Sequence, residues 1–228
     1  MLRILVPSDF SDNAFNALKY GLQLFNDSPA EFYIMHAFQD EIYSEEALLN
    51  KETLDEVTEI VSNRSLKQLK DILNTIRLEY GNPNHSFHLI SANNMLIDEA
   101  DHLVEDHDID LIIMGTRGET NDRKLVFGSH TLQVLKYVQC PVLAIPENYQ
   151  FEPLRRVLFA SNFMIPYKKR DLQLLKSLVG STRVDLELLY VSKSDFLSMR
   201  QVDNKNHIVD QFEEHEVNLN VVTQRDTV

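Results

Sequence analysis

One cysteine and six glycines are all that 228 residues contain. A lone Cys140 excludes an intrachain disulfide and any C-x-x-C metal or redox site, and a reducing cytoplasm is the expected home. No apolar run is long enough to cross a bilayer, and the opening MLRILVPSDF lacks the basic, apolar and small-residue layout of a secretory leader. Positive charge is also scarce. Against 35 Asp and Glu stand 22 Lys and Arg, a net charge of −13. That balance argues against binding to nucleic-acid backbone or to an anionic membrane. Residues 1–146 hold 11 of the cations and 23 of the acids. An anion bound in this acidic front part would need local backbone donors or a metal ion.

What is present is an ordinary apolar content of 43%, enough for one or two packed domains. RILV at 3–6 reads as a buried strand ended by Pro7. Phe15, Leu18, Leu22 and Phe25 follow at helical spacing, with Ser11 or Asp12 available to cap. Residues 31–38 (EFYIMHAF) are apolar on both faces, as in a parallel strand covered by helices on both sides. Residues 45–80 repeat apolar positions at helical spacing, with Gly81 and Pro83 as the stop. SFHLIS (86–91) is a third strand, and Asn94 is placed to cap the helix after it. DLIIMGT (110–116) is a fourth strand, SHTLQVLKYV a short helix and CPVLAIP a last strand. Strands alternating with helices predict an α/β fold, an open doubly wound parallel sheet. In such sheets ligands sit at the carboxyl ends of the strands where strand order reverses. Pro7, Ser8 and Asp9 end the first strand and Met114 and Gly115 the fourth, so both segments face one crevice if those strands are neighbours.

The glycines are concentrated in MGTRGETNDRKLVFGS (114–129), which holds Gly115, Gly118 and Gly128. Glycine serves where φ must be positive or where backbone lies close against a ligand. The loop starts at a strand end and finishes at a helix start, where unpaired N–H groups and the helix dipole favour an anion. Gly128, Ser129 and His130 lie there, with Gly115 and Gly118 at the opposite end of the loop. The spacing is neither that of a Walker A loop nor that of G-x-G-x-x-G.

A second pattern is internal repetition. LRILVPSDF (2–10) aligns without gaps on RRVLFASNF (155–163), EFYIMHAF on DLELLYVS (185–192) and SFHLIS on NLNVVT (218–223). A separation this long indicates a duplicated domain rather than a solenoid. The rear copy stops before any counterpart of the glycine loop and carries Ala160 for Pro7 and Asn162 for Asp9. The expected organisation is a ligand-binding domain over 1–147, a linker over 148–154 and a partial, degenerate second copy over 155–228, which has lost whatever the front copy binds.

The loop G-x2-G-x9-G-S after DLIIMGT, the closing PVLAIP and the opening ILVPSDFS together resemble the universal stress protein family over residues 1–146. The rear part resembles the degenerate second copy of tandem members. The resemblance implies a duplicated adenine-nucleotide alpha hydrolase-like sheet and ATP as ligand, with Mg²⁺. It implies phosphates held by Gly115, Gly118, Gly128 and Ser129, ribose met by Asp9, adenine met by backbone at His36 and Ala37, and nucleoside lined by Met114. With Pro7, Ser8, Arg117 and His130 added, these form the candidate nucleotide-binding set. The resemblance further implies a homodimer built through the last strand, with cover of that edge by the rear copy of the same chain as the alternative, and a regulatory, stress-response role exerted through conformation or an unidentified protein partner. It implies no defined catalytic base. The alternative on the same fold is a slow ATP hydrolase or nucleotidyl-transfer enzyme.

Several residues carry a second reading. Asp9 could cap the first helix. Arg117, Arg123 and Lys124 either meet phosphates or are solvated, and His36 is structural with only its backbone near the base. No metal spacing links the eight histidines. The cluster Arg155, Arg156, Lys168, Lys169 and Arg170 is either a solvated face or an attractor for an acidic partner.

Overall fold

A computed structural model describes residues 1–44, 53–116, 127–167, 169–179, 184–192, 196–212 and 217–223. The chain divides into two compact units, Met1–Phe151 and Glu152–Val228.

The first unit runs β1 (Leu2–Pro7), α1 (Asp12–Leu24), β2 (Ala30–Ala37), α2 (Gln39–Ser44), α3 (Leu54–Glu79), β3 (His85–Ala92), α4 (Leu96–Asp106), β4 (Leu111–Gly115), α5 (Ser129–Tyr137) and β5 (Val142–Ile145). Its five strands are all parallel, in the order β3-β2-β1-β4-β5. The three central strands are apolar on both faces because helices cover both. Ile4 and Leu5, Ile34 and Met35, and Ile112 and Ile113 are all fully buried. Each such side chain contributes about 1.5–3 kcal/mol by leaving water. The edge strands β3 and β5 are only partly buried. Strand order reverses between β1 and β4, and that is where the expected crevice forms.

Local chemistry sets the helix ends. Ser11 caps α1, its hydroxyl oxygen accepting from the Ala14 N–H at 3.2 Å. A capping box of Thr53 and Glu56 starts α3. Inside α3, Val57, Val61, Ser65, Leu69 and Ile76 fall on one buried stripe. Of the helical stretch read over 45–80, residues 54–79 form α3, and residues 45–52 lie outside the described residues. Asn94 is not the cap of α4. Met95 takes that position, because the Asn94 side chain is already engaged with the Met95 N–H and the Glu99 carboxylate.

The second unit runs β6 (Arg156–Ala160), α6 (Lys169–Val179), β7 (Asp185–Ser192), α7 (Met199–Asp210) and β8 (Val217–Thr223), with a parallel sheet ordered β6-β7-β8. Its core gathers Phe163, Leu172, Leu186, Leu188, Ile208 and Phe212. Arg155 and Arg156 are exposed, as a solvated basic face requires, and Lys168 lies outside the described residues.

Each unit repeats one turn at the end of its first strand. After β1, the Ser8 N–H donates to Met35 O at 2.8 Å, the Ser8 hydroxyl oxygen accepts from the Phe10 N–H at 3.1 Å, and Phe10 sits at φ 63°. After β6, the Ser161 N–H donates to Leu189 O at 2.9 Å, the Ser161 hydroxyl oxygen accepts from the Phe163 N–H at 3.0 Å, and Phe163 sits at φ 54°. A phenylalanine in the left-handed region is strained, at a cost of roughly 1–3 kcal/mol. Both units hold that strain at the position where the two sequence segments align.

Candidate functional site

A cavity of about 240 Å³ opens at the carboxyl ends of β1, β2 and β4. Ten of the sequence-derived candidates line it: Pro7, Ser8, Asp9, His36, Ala37, Met114, Gly115, Gly128, Ser129 and His130. Arg117 and Gly118, with Arg123 and Lys124, fall in 117–126, outside the described residues. Ala14, Asp40, Glu41, Leu96 and Thr131 complete the lining and were not singled out from sequence.

The β1 corner is fixed by short-range hydrogen bonds. One Asp9 carboxylate oxygen accepts from both the N–H and the hydroxyl of Ser11, at 3.0 and 2.6 Å. Asp9 therefore does not cap α1. It orients the residue that does, leaving Asp9 itself exposed at the cavity rim.

The β4 corner gives the two described loop glycines different surroundings. No described glycine has a positive φ. A Cβ on Gly115 would lie 2.8 Å from Cγ of Asn13, so an α1 side chain packs close against this glycine, which also lines the cavity. The Gly128 N–H is bonded to Thr116 O at 2.6 Å and is not the donor that faces an anion. Gly128 is the N-cap of α5, with φ −67° and ψ 163° and no side-chain cap hydrogen bond. The first intrahelical bond runs from the Leu132 N–H to Gly128 O. The amides that project from this helix start are therefore those of Ser129, His130 and Thr131, the donors a helix N-terminus offers to an anion. The buried Thr131 hydroxyl donates to Gly115 O at 2.9 Å and ties this helix start to the end of β4.

The β2 corner holds a network that sequence reading missed. His36 is 4% exposed, with Nδ1 at 2.9 Å from the Ser65 hydroxyl and Nε2 at 2.9 Å from Oε1 of Glu41. Oε2 of Glu41 accepts from Arg64 at 2.8 Å, and Ser65 in turn lies 2.7 Å from the Ser91 hydroxyl. Burial holds the His36 imidazole below its ordinary range, a shift only partly opposed by the Glu41 carboxylate and Asp9. The proton positions follow from valence. A carboxylate can only accept, so Nε2 carries the hydrogen; in the neutral ring Nδ1 then accepts from Ser65, which accepts from Ser91. The Phe10 ring packs 4.3 Å from the imidazole centroid. The connectivity Ser65–His36–Glu41 is that of a nucleophile, base and orienting acid, but Ser65 is 1% exposed and does not line the cavity. Its hydroxyl serves the network, and His36 is structural through its side chain as well as its position.

A doubly wound parallel sheet with a cavity at the β1/β4 switch point, beside a helix N-terminus, is an α/β architecture of the kind that takes ligands at the carboxyl ends of its strands. The Universal stress protein family matches residues 1–146, and the chain belongs to that family. Universal stress protein MJ0577 of Methanocaldococcus jannaschii is 28% identical over 152 residues, covering 63% of this chain and 93% of the relative. The solved structure of MJ0577 superposes with a TM-score of 0.53 at 26% identity, over 64% of this chain and 96% of that one. A universal stress protein from Archaeoglobus fulgidus shares the fold over 98% of this chain and 79% of its own, with a TM-score of 0.69 and 21% identity.

Proposed function

We propose that the first unit binds ATP in the β1/β4 cavity and that nucleotide occupancy regulates conformation or partner choice. The observation that carries this reading is the convergence of ten independently named residues on one cavity that ends at the bare start of α5. Phosphates would take the Ser129, His130 and Thr131 amides and the Ser129 hydroxyl. Asp9 would meet the ribose, Met114 would line the nucleoside, and the base would lie toward His36 and Ala37. Hydrogen bonds to a charged group are worth about 1.5–3 kcal/mol each, so a few suffice for micromolar binding. Mg²⁺ would enter with the nucleotide, held chiefly by phosphate oxygens, since no group of three ligating side chains stands together among the described residues.

The role is read as binding rather than turnover, because the hydrogen-bonded Ser65–His36 pair is spent inside the fold. The second unit is a degenerate copy without a working site. Its turn repeats that of the first unit, but the Gln201 amide donates to Asn162 O at 2.8 Å where the first unit keeps a cavity. Two chains pair through β5, an edge strand flanked by the exposed Leu132 and Leu135 of α5. Equilibrium binding of ATP with Mg²⁺, followed by a phosphate-release assay on the same sample, tests the reading. Binding without steady turnover is expected. Steady multiple turnover would replace it with the hydrolase alternative.

A further inference from the structure

The two ends of the cavity differ in chemistry. At β4 and α5 it offers backbone N–H donors; at β2 and α2, two strand spacings or about 10 Å away, it offers the carboxylates of Asp40 and Glu41. One end suits an anion and the other suits a hydrogen-bond donor.

Glu41 differs from an ordinary surface acid. Each of its oxygens already accepts one bond, from His36 Nε2 at 2.9 Å and from Arg64 at 2.8 Å, and these hold the carboxylate in one place before any ligand arrives. Burial keeps His36 neutral, so the ring donates a hydrogen bond to Glu41 without cancelling its charge. A carboxylate has about four acceptor positions and this one has used two. More than a third of the side chain remains exposed, and it lines the cavity. The network behind it explains why a histidine, two serines and an arginine from three separate elements are assembled at the β2 end. They fix an acceptor.

Resting on the ATP-binding reading above, we propose that Glu41 is a specificity-determining residue that accepts a hydrogen bond from the exocyclic amino group of the base. Adenine carries that donor at its 6-position. A purine with hydrogen there offers nothing to the carboxylate and leaves one of its fixed acceptor positions without the donor it is placed to receive.

The test compares ATP with purine riboside 5′-triphosphate, which differs only in lacking the 6-amino group, at fixed Mg²⁺ on the intact chain. Wild-type protein should bind ATP roughly tenfold or more tightly, the expected effect of one hydrogen bond to a charged group. Glu41→Ala should bring the ratio of the two dissociation constants close to one. Glu41→Gln, which keeps the side-chain length and presents an NH₂ in place of one acceptor, should lower it as well and supplies the answer if the alanine variant does not fold. A wild-type ratio near one, or an unchanged ratio in the variants, overturns the proposal while leaving ATP binding intact. Failure of wild-type protein to bind either nucleotide overturns the underlying site instead.

Discussion

Gly115 lies close against the Asn13 side chain, the Cβ position of the glycine lying 2.8 Å from the amide carbon. Gly115→Ala should therefore destabilise the first unit by roughly 1–3 kcal/mol, the usual cost of overpacking. Adding Asn13→Ala should recover part of that loss, as read from urea midpoints. An unshifted midpoint in the single variant would show that the contact is not close. Gly128 presents the opposite case. Its dihedrals are open to any residue, so Gly128→Val should leave the fold nearly as stable as wild type. The added branch should weaken ATP binding tenfold or more, about 1.4 kcal/mol. Leu111→Ala, in the core, should instead cost roughly 2–5 kcal/mol of stability. Normal ATP affinity in a folded Gly128→Val protein would end the phosphate-cradle reading. His36 gives a pH signature. Its folded value lies below the unfolded one of about 6.5, so as pH falls below that the unfolded chain takes up the proton first. Stability should then decline from neutral pH downward, with Glu41, Asp9 and Arg64 as the charged neighbours. His36→Gln should flatten that part of the profile, and an equally steep decline in the variant would assign it to other groups.

At the scale of elements, α5 carries two tasks. Its N-terminus faces the cavity, while Leu132 and Leu135 stand exposed beside the β5 edge. Leu135→Lys should convert a dimer to monomers in light scattering and leave ATP binding within about twofold. A wild-type protein that is monomeric at high concentration would remove β5 pairing from the account. Strands were legible because a parallel strand under two helical layers must be apolar on both faces, and FYIM in β2 and LIIM in β4 show that without ambiguity. The crevice was legible because Pro7–Asp9 and Met114–Gly115 end strands that flank the switch point. What stayed hidden was long-range and polar. His36 and Ser65 are 29 residues apart in sequence and Ser65 and Ser91 26 apart, and nothing in local periodicity pairs them. Gly115 was readable as a close approach but not as one made by Asn13, since the partner lies on another element. Asn94 misled for a related reason, its side chain bonding one residue too early to cap α4.

At the scale of the molecule, two units share a turn and a parallel β–α–β–α–β order, and among the described residues the β4 and α5 that complete a crevice belong to the first. In the second, Gln201 occupies the end of the first strand and Phe163 is fully buried in the core. The acidic front unit would hold a polyanion through backbone amides, so affinity for ATP should depend weakly on salt compared with binding built on a lysine and arginine surface. The most direct test of the central claim is a calorimetric titration of the intact chain with ATP and Mg²⁺. About one site per chain is predicted. No binding, or two equivalent sites per chain, would contradict the assignment of a single nucleotide site to the β1/β4 cavity of the first unit.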